Sequence, residues 1–242
     1  MRTSRIAVVI LIALAGVPLG SRASSAEWFA DVYAGASLTR SDDLTIHDRV
    51  VGQGVYRDVD FATALAYGGR LGRYFDRFPF LGVAVDLFNF SPTVRAQGTS
   101  RDGCFVVTGC GSGEGHTGRI DVDTHALSAD VMLRLSLFKT AEEPNGVLQP
   151  YVAAGVPIFI TTVTPRTTRQ FRNHDDDTDI SLGYKAAAGV AFRIFSNLDL
   201  FGEYRYTHTH VSADLRDALT RNASIDTDLN THSFLLGISA RW

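Results

Sequence analysis

Phe234-Leu235-Leu236-Gly237-Ile238-Ser239-Ala240-Arg241-Trp242 is the last stretch of the 242-residue chain, and its alternation decides the fold. Successive side chains of a strand point to opposite faces. Phe234, Leu236, Ile238, Ala240 and Trp242 therefore share one face; Ser233, Gly237, Ser239 and Arg241 share the other. The apolar face suits lipid, and the small and charged face suits a polar interior.

At the other end, Arg2 and Arg5 precede an apolar run over 6–17, and Ser24-Ser25-Ala26 offers small residues for cleavage. The expectation is a secretory signal peptide over 1–26 and one mature domain over 27–242; the alternative is an uncleaved anchor. No later apolar run is long enough to span a bilayer as a helix, so any spanning is done by strands. Three of the 23 basic residues and none of the 26 acidic ones lie in the leader, which leaves the mature chain at −6. That charge argues against a nucleic-acid partner. Cys104 and Cys110 are an even, closely spaced pair in an exported chain, so a disulfide pinning a loop is expected. A zinc set is the weaker alternative, because His116 alone does not complete it.

Period-two patterning marks eight strands, at 28–39, 59–74, 80–90, 120–138, 148–163, 179–194, 198–210 and 229–242. In 80–90, Leu81, Val83, Val85 and Leu87 oppose Gly82, Ala84, Asp86 and Phe88. The connections alternate between short (76–79, 139–147, 196–197) and long (40–58, 91–119, 164–178, 211–228). Short turns on one side and long loops on the other are the habit of an eight-stranded antiparallel up-and-down transmembrane β-barrel. A soluble barrel would hide its aliphatic residues and expose its charges. The small residues Gly35, Ala64, Ala66, Gly68, Ala187 and Gly189 on the polar face speak for a narrow filled lumen instead. Trp28, Phe29, Phe75, Phe78, Phe138, Tyr151, Phe195 and Trp242 collect near the short turns and read as an interfacial girdle.

Gly183-Tyr184-Lys185-Ala186-Ala187-Ala188-Gly189-Val190, Leu198-Asp199-Leu200-Phe201-Gly202-Glu203-Tyr204-Arg205-Tyr206-Thr207 and Gln149-Pro150-Tyr151-Val152-Ala153-Ala154-Gly155-Val156-Pro157 resemble the OmpA/opacity-type outer-membrane β-barrel superfamily. The closing strand is similar to the terminal strands of such barrels. That resemblance implies that Phe234, Leu236, Ile238 and Trp242 form a signal read by barrel assembly machinery. It also implies outer-membrane localisation, with lipid and lipopolysaccharide as surroundings.

Parity places Asp31, Arg70, Asp86, Asp130, Arg134, Lys185, Arg193, Glu203, Arg205 and Arg241 on the inner face. A charge facing lipid near midplane costs ~2–4 kcal/mol, and buried charges need partners. These four acids and six bases therefore read as a lumen network, either a packed polar core or a narrow ion path. His208, His210 and Ser212 share outward parity at the outer end of their strand. They resemble faintly the His-x-Ser element of lipid A deacylases, with Asp226 or Asp228 as the acid that orients the histidine. Ala213 departs from that pattern. Asp175, Asp177 and Asp179 mimic the start of a calcium loop, but Ile180 and Ala186 stand where Gly and Glu are required. The Gly-rich run 109–118 lacks the lysine of a phosphate loop and reads as a mobile tip.

The expected function is non-enzymatic: a scaffold whose surface loops serve envelope integrity, adhesion or partner binding, with no cofactor and no metal. The alternatives are a lipid hydrolase using His210 and Ser212, and a narrow small-solute channel.

Overall fold

The computed structural model describes residues 27–41, 43–48, 52–57, 61–94, 97–105, 109–117, 119–141, 143, 145–166, 177–215 and 223–242. The expected signal peptide and Asp175 lie outside them. Eight long strands form the barrel: β1 (Trp28–Ser41), β2 (Ala64–Tyr74), β3 (Leu81–Phe90), β4 (Arg119–Arg134), β5 (Leu148–Arg166), β6 (Asp177–Phe195), β7 (Leu198–Leu215) and β8 (Ala223–Arg241). Each pairs antiparallel with the next. The ring closes where β1 meets β8, with Phe29 opposite Arg241 and Ser41 opposite Leu229. Closure leaves no bare edge in lipid, which is why a barrel can cross a membrane.

The faces follow parity. Leu65, Leu71, Val85, Leu127, Val131, Leu182 and Leu236 are exposed on the outside. Asp86, Thr124, Thr161 and Asp199 are fully buried inside. This inversion of the usual soluble pattern is what a lipid solvent demands.

Three expectations need correction. The loops 40–58 and 91–119 carry strands of their own, at Asp43–Asp48, Gly52–Arg57, Thr93–Val94, Gln97–Phe105 and Gly109–Thr117. The Gly-rich run is thus not a free tip: Gly109–Thr117 pairs with Gln97–Phe105, and Cys104 sits opposite Cys110 in a disulfide. These strands continue the sheet outward from the end of β8 through Asp43–Asp48 and Gly52–Arg57. Second, β4 stops at Arg134 rather than at 138. Beyond it Leu135 and Leu137 still bond across to Pro150 and Leu148, and the backbone turns left-handed at Phe138 (φ 55°), where the chain enters the turn. Gly146 (φ 82°) completes that turn, where a Cβ would press on the backbone of Leu137. Third, Phe29 and Tyr151 point into the lumen and are buried, so they do not belong to the girdle. Trp28, Phe75, Phe78, Phe138, Phe195 and Trp242 are exposed at the short-turn rim as expected.

Candidate functional site

Space for the lumen's large side chains comes from glycines on neighbouring strands. Tyr33 lies over Gly68, Phe29 over Gly72, Phe159 over Gly183, Tyr151 over Gly189 and Phe201 over Gly237. A Cβ at Gly189 would stand 2.5 Å from the Tyr151 ring, and one at Gly237 2.5 Å from Phe201. A narrow barrel holds these rings only where the facing wall has no side chain.

The charges form two tiers. At the short-turn rim, Arg134 Nη2 donates to Glu27 Oε2 (2.5 Å), and Arg241 Nη1 donates to Glu27 Oε1 (2.9 Å). Arg241 Nε approaches Asp199 Oδ2 at 2.5 Å, Arg193 pairs with Asp199, and Arg193 Nη1 reaches Glu143 Oε2 at 2.9 Å. The Arg134 guanidinium also lies over the Tyr74 ring, 3.7 Å from its centroid. Glu27 precedes β1 at this rim. Burial opposes its ionisation, but the Arg134 hydrogen bond and the charges of Arg241 and Arg134 outweigh burial and hold its pKa below the ordinary glutamate value.

The central tier sits between the rings. Lys185 Nζ bridges Asp86 Oδ2 (2.7 Å) and Asp130 Oδ2 (2.5 Å). Arg205 donates twice to Glu203 Oε1 (2.9 and 2.7 Å) and lies 3.0 Å from Asp86 Oδ2. Arg70 Nη2 donates to Glu203 Oε2 (2.5 Å), and its Nε lies 3.2 Å from Asp31 Oδ2. The Tyr151 hydroxyl donates to Glu203 (2.8 Å), the Tyr33 hydroxyl to Asp86, and Ser128 to Asp130 (2.5 Å). Such a web tolerates burial because each of these charges has a counter-charge, and most also make directed hydrogen bonds; Asp31 is held by its ion pair with Arg70.

All ten charged residues named from parity lie in this lumen. Parity had supplied four acids for six bases. Glu27 and Asp199 make up the difference, and both were missed. Asp199 carried the signal, since it shares parity with Glu203 and Arg205. Tyr33 and Phe201 share lumen parity too, and their burial there is a further feature that the charge pattern alone does not signal.

Above the charges, Phe88 stacks on Phe90 and meets Phe159 edge to face. A hydroxyl layer follows, with Thr39–Thr231 and Ser181–Thr209 pairs each at 2.9 Å. A cavity of about 10 Å³ in the lower lumen, lined by Phe29, Tyr74, Met132, Tyr151, Phe201 and Arg241 among others, has room for about one water.

His210 and Ser212 lie outside the barrel wall, both exposed. His210 Nδ1 is 2.8 Å from Asp228 Oδ1, its cross-strand neighbour. No hydrogen bond joins His210 to Ser212 among the described residues, and the Ser212 backbone N–H donates to Asp179 at 3.4 Å. Ser212 faces Asp226 in register. Asp177 and Asp179 fall in β6, and among the described residues no cluster of metal-ligating side chains forms.

The model of the outer membrane protein beta-barrel domain matches residues 9–241. The chain belongs to that family. The barrel is an integral protein of the cell outer membrane. No curated protein matches it by sequence. Among solved structures it is similar to outer membrane protein OprG from Pseudomonas aeruginosa (14% identity, TM-score 0.57, covering 90% of this chain and 97% of that one). It also matches neisserial surface protein A (13%, TM-score 0.46, 89% and 97%) and the outer membrane protease OmpT from Escherichia coli (10%, TM-score 0.46, 89% and 97%). At 14% identity the likeness to OprG is one of fold.

Proposed function

We propose that the barrel is a non-enzymatic scaffold that holds an outer β-sheet at the cell surface for partner binding, adhesion or envelope integrity. The observation that carries this reading is the continuation of the wall into the strands Asp43–Asp48, Gly52–Arg57, Gln97–Phe105 and Gly109–Thr117. Backbone pairing fixes these surface segments to the rigid barrel, and the Cys104–Cys110 disulfide staples the far hairpin. Binding residues serve best on segments that a stable frame positions. The filled lumen supports the scaffold over the channel, because its charges are spent on one another. The test removes 97–117 and keeps the barrel. Cells carrying the shortened protein at normal outer-membrane levels should lose surface or partner binding while planar bilayers show no unitary conductance for either form. Retained binding contradicts the scaffold reading, and resolved conductance steps favour the channel.

The His210–Asp228 pair keeps a second reading in play, a lipid hydrolase with Ser212 as nucleophile and His210 as base. Lipid A extracted from cells with and without the protein decides it. An acyl chain lost only in the presence of the protein, and kept in Ser212→Ala, favours the hydrolase.

A further inference from the structure

The outward face of β7 and β8 changes character near its outer end, flanked by Tyr184 of β6 and Arg40 of β1. Leu200 on β7 and Leu236 and Phe234 on β8 are exposed and apolar. Directly above them come Tyr204, Tyr206 and His208 on β7, beside His232 and Asn230 on β8. These residues are held to one another. The Tyr206 hydroxyl donates to Asn230 Oδ1 (2.7 Å), and His208 Nδ1 lies 2.9 Å from the same oxygen. The Tyr204 hydroxyl meets His232 Nδ1 at 2.7 Å, and Tyr184 of β6 stacks on His208 with ring centroids 4.8 Å apart. Asn230 stands opposite Arg40 of β1, which is exposed. The patch is one-sided: Ile158 and Ile160 of β5 and Ile180 and Leu182 of β6 stay apolar and exposed at their outer ends.

Polar groups on a lipid-facing wall are tolerated where headgroups replace hydrocarbon, and tyrosines settle at that depth. We propose that this patch binds the headgroup of an anionic, phosphorylated glycolipid of the outer leaflet. Lipid is the occupant because the patch runs without a break into the lipid-facing band below it. Arg40 supplies the charge for a phosphate, in the fork geometry that suits one. In His208 and His232 the Nδ1 atom is engaged within the protein, so Nε2 is left to meet sugar hydroxyls, as are the Asn230 amide hydrogens. Tyr184, stacked on His208 yet half exposed, adds apolar ring surface for sugar carbons beside the histidine. This site lies on the wall and is independent of the scaffold role of the outer strands.

The whole mature barrel in phosphatidylcholine nanodiscs tests the proposal. Bisphosphorylated lipid A, dephosphorylated lipid A or inorganic phosphate is added, and the NMR ring signals of His208 and His232 are followed. Bisphosphorylated lipid A should move both signals saturably. Arg40→Gln should weaken that response about fivefold, the loss of one basic contact near a membrane surface. Ile160→Gln, on the bare side of the wall, should leave it unchanged. Unboiled and boiled gel mobility confirms that each variant is folded. An equal response to dephosphorylated lipid, or no effect of Arg40→Gln, overturns the phosphate assignment. Saturation by inorganic phosphate alone overturns the lipid. Shifts that follow protein density without lipid A overturn both in favour of a second copy of the barrel.

Discussion

Asp86 holds three partners at once: the Lys185 ammonium, the Arg205 guanidinium and the Tyr33 hydroxyl. Removing it leaves buried cations short of counter-charge, a defect worth about 3–5 kcal/mol. Asp86→Ala should therefore lower the unfolding free energy in detergent by that amount, read from urea titrations, and Asp86→Ala with Lys185→Met should lower it less. A double variant as damaged as the sum of its singles would show that the two are not coupled. Glu27 gives the pH-dependent counterpart. Its folded pKa lies below the ordinary value of 4.5, so its contribution is present above that value and fades as pH falls through the folded pKa. The stability gap between wild type and Glu27→Gln should shrink on acidification once the pH falls below the ordinary value of 4.5 and through the lower folded pKa. A gap that stays constant or widens refutes the assignment. Which side chains enter the lumen was legible, because parity in a strand is rigid. Which of them pair was not. Lys185 meets Asp86, 99 positions away, only because the strands are staggered by a shear that sequence does not declare.

The eight barrel strands were legible because each presents one face to lipid, and the alternation is strong where that face is aliphatic. β3 shows this in Leu81, Val83, Val85 and Leu87. The outer strands were not legible for the same reason in reverse. In Gly109–Thr117 the stretch 110–113 is exposed throughout, with no buried face at every second residue, so nothing there imposes alternation. Its pairing to Gln97–Phe105 is fixed by backbone bonds and by the disulfide, which closes a ring of sequence separation 6. A ring that small restrains the unfolded chain little, about 2–3 kcal/mol at most. Cys104→Ser with Cys110→Ser should consequently leave barrel mobility on gels unchanged while proteinase K cuts faster within 97–117. Mass spectrometry that found two free thiols in protein purified without reductant would contradict the pairing.

The whole molecule is a closed sheet, and closure is its condition for existing in lipid. β8 supplies the seam with both β7 and β1, and the Trp242 amide and carbonyl each bond to Trp28 (3.1 and 2.9 Å). Deleting Trp242, or replacing Phe234 and Trp242 with Asp, should block insertion and lower the surface level sharply, because a lost closing strand leaves two open edges. Immunoblots of outer-membrane fractions read this, and normal levels would refute it. The central claim is that the aliphatic face meets lipid while the charges fill the lumen. Single cysteines placed in the barrel and exposed to a thiol probe confined to the bilayer test it most directly. Cys at Val85 or Tyr184 should label quickly, and Cys at Asp86 or Lys185 should stay unlabelled. Rapid labelling at 86 and 185 with none at 85 and 184 would mean that the barrel is inside out.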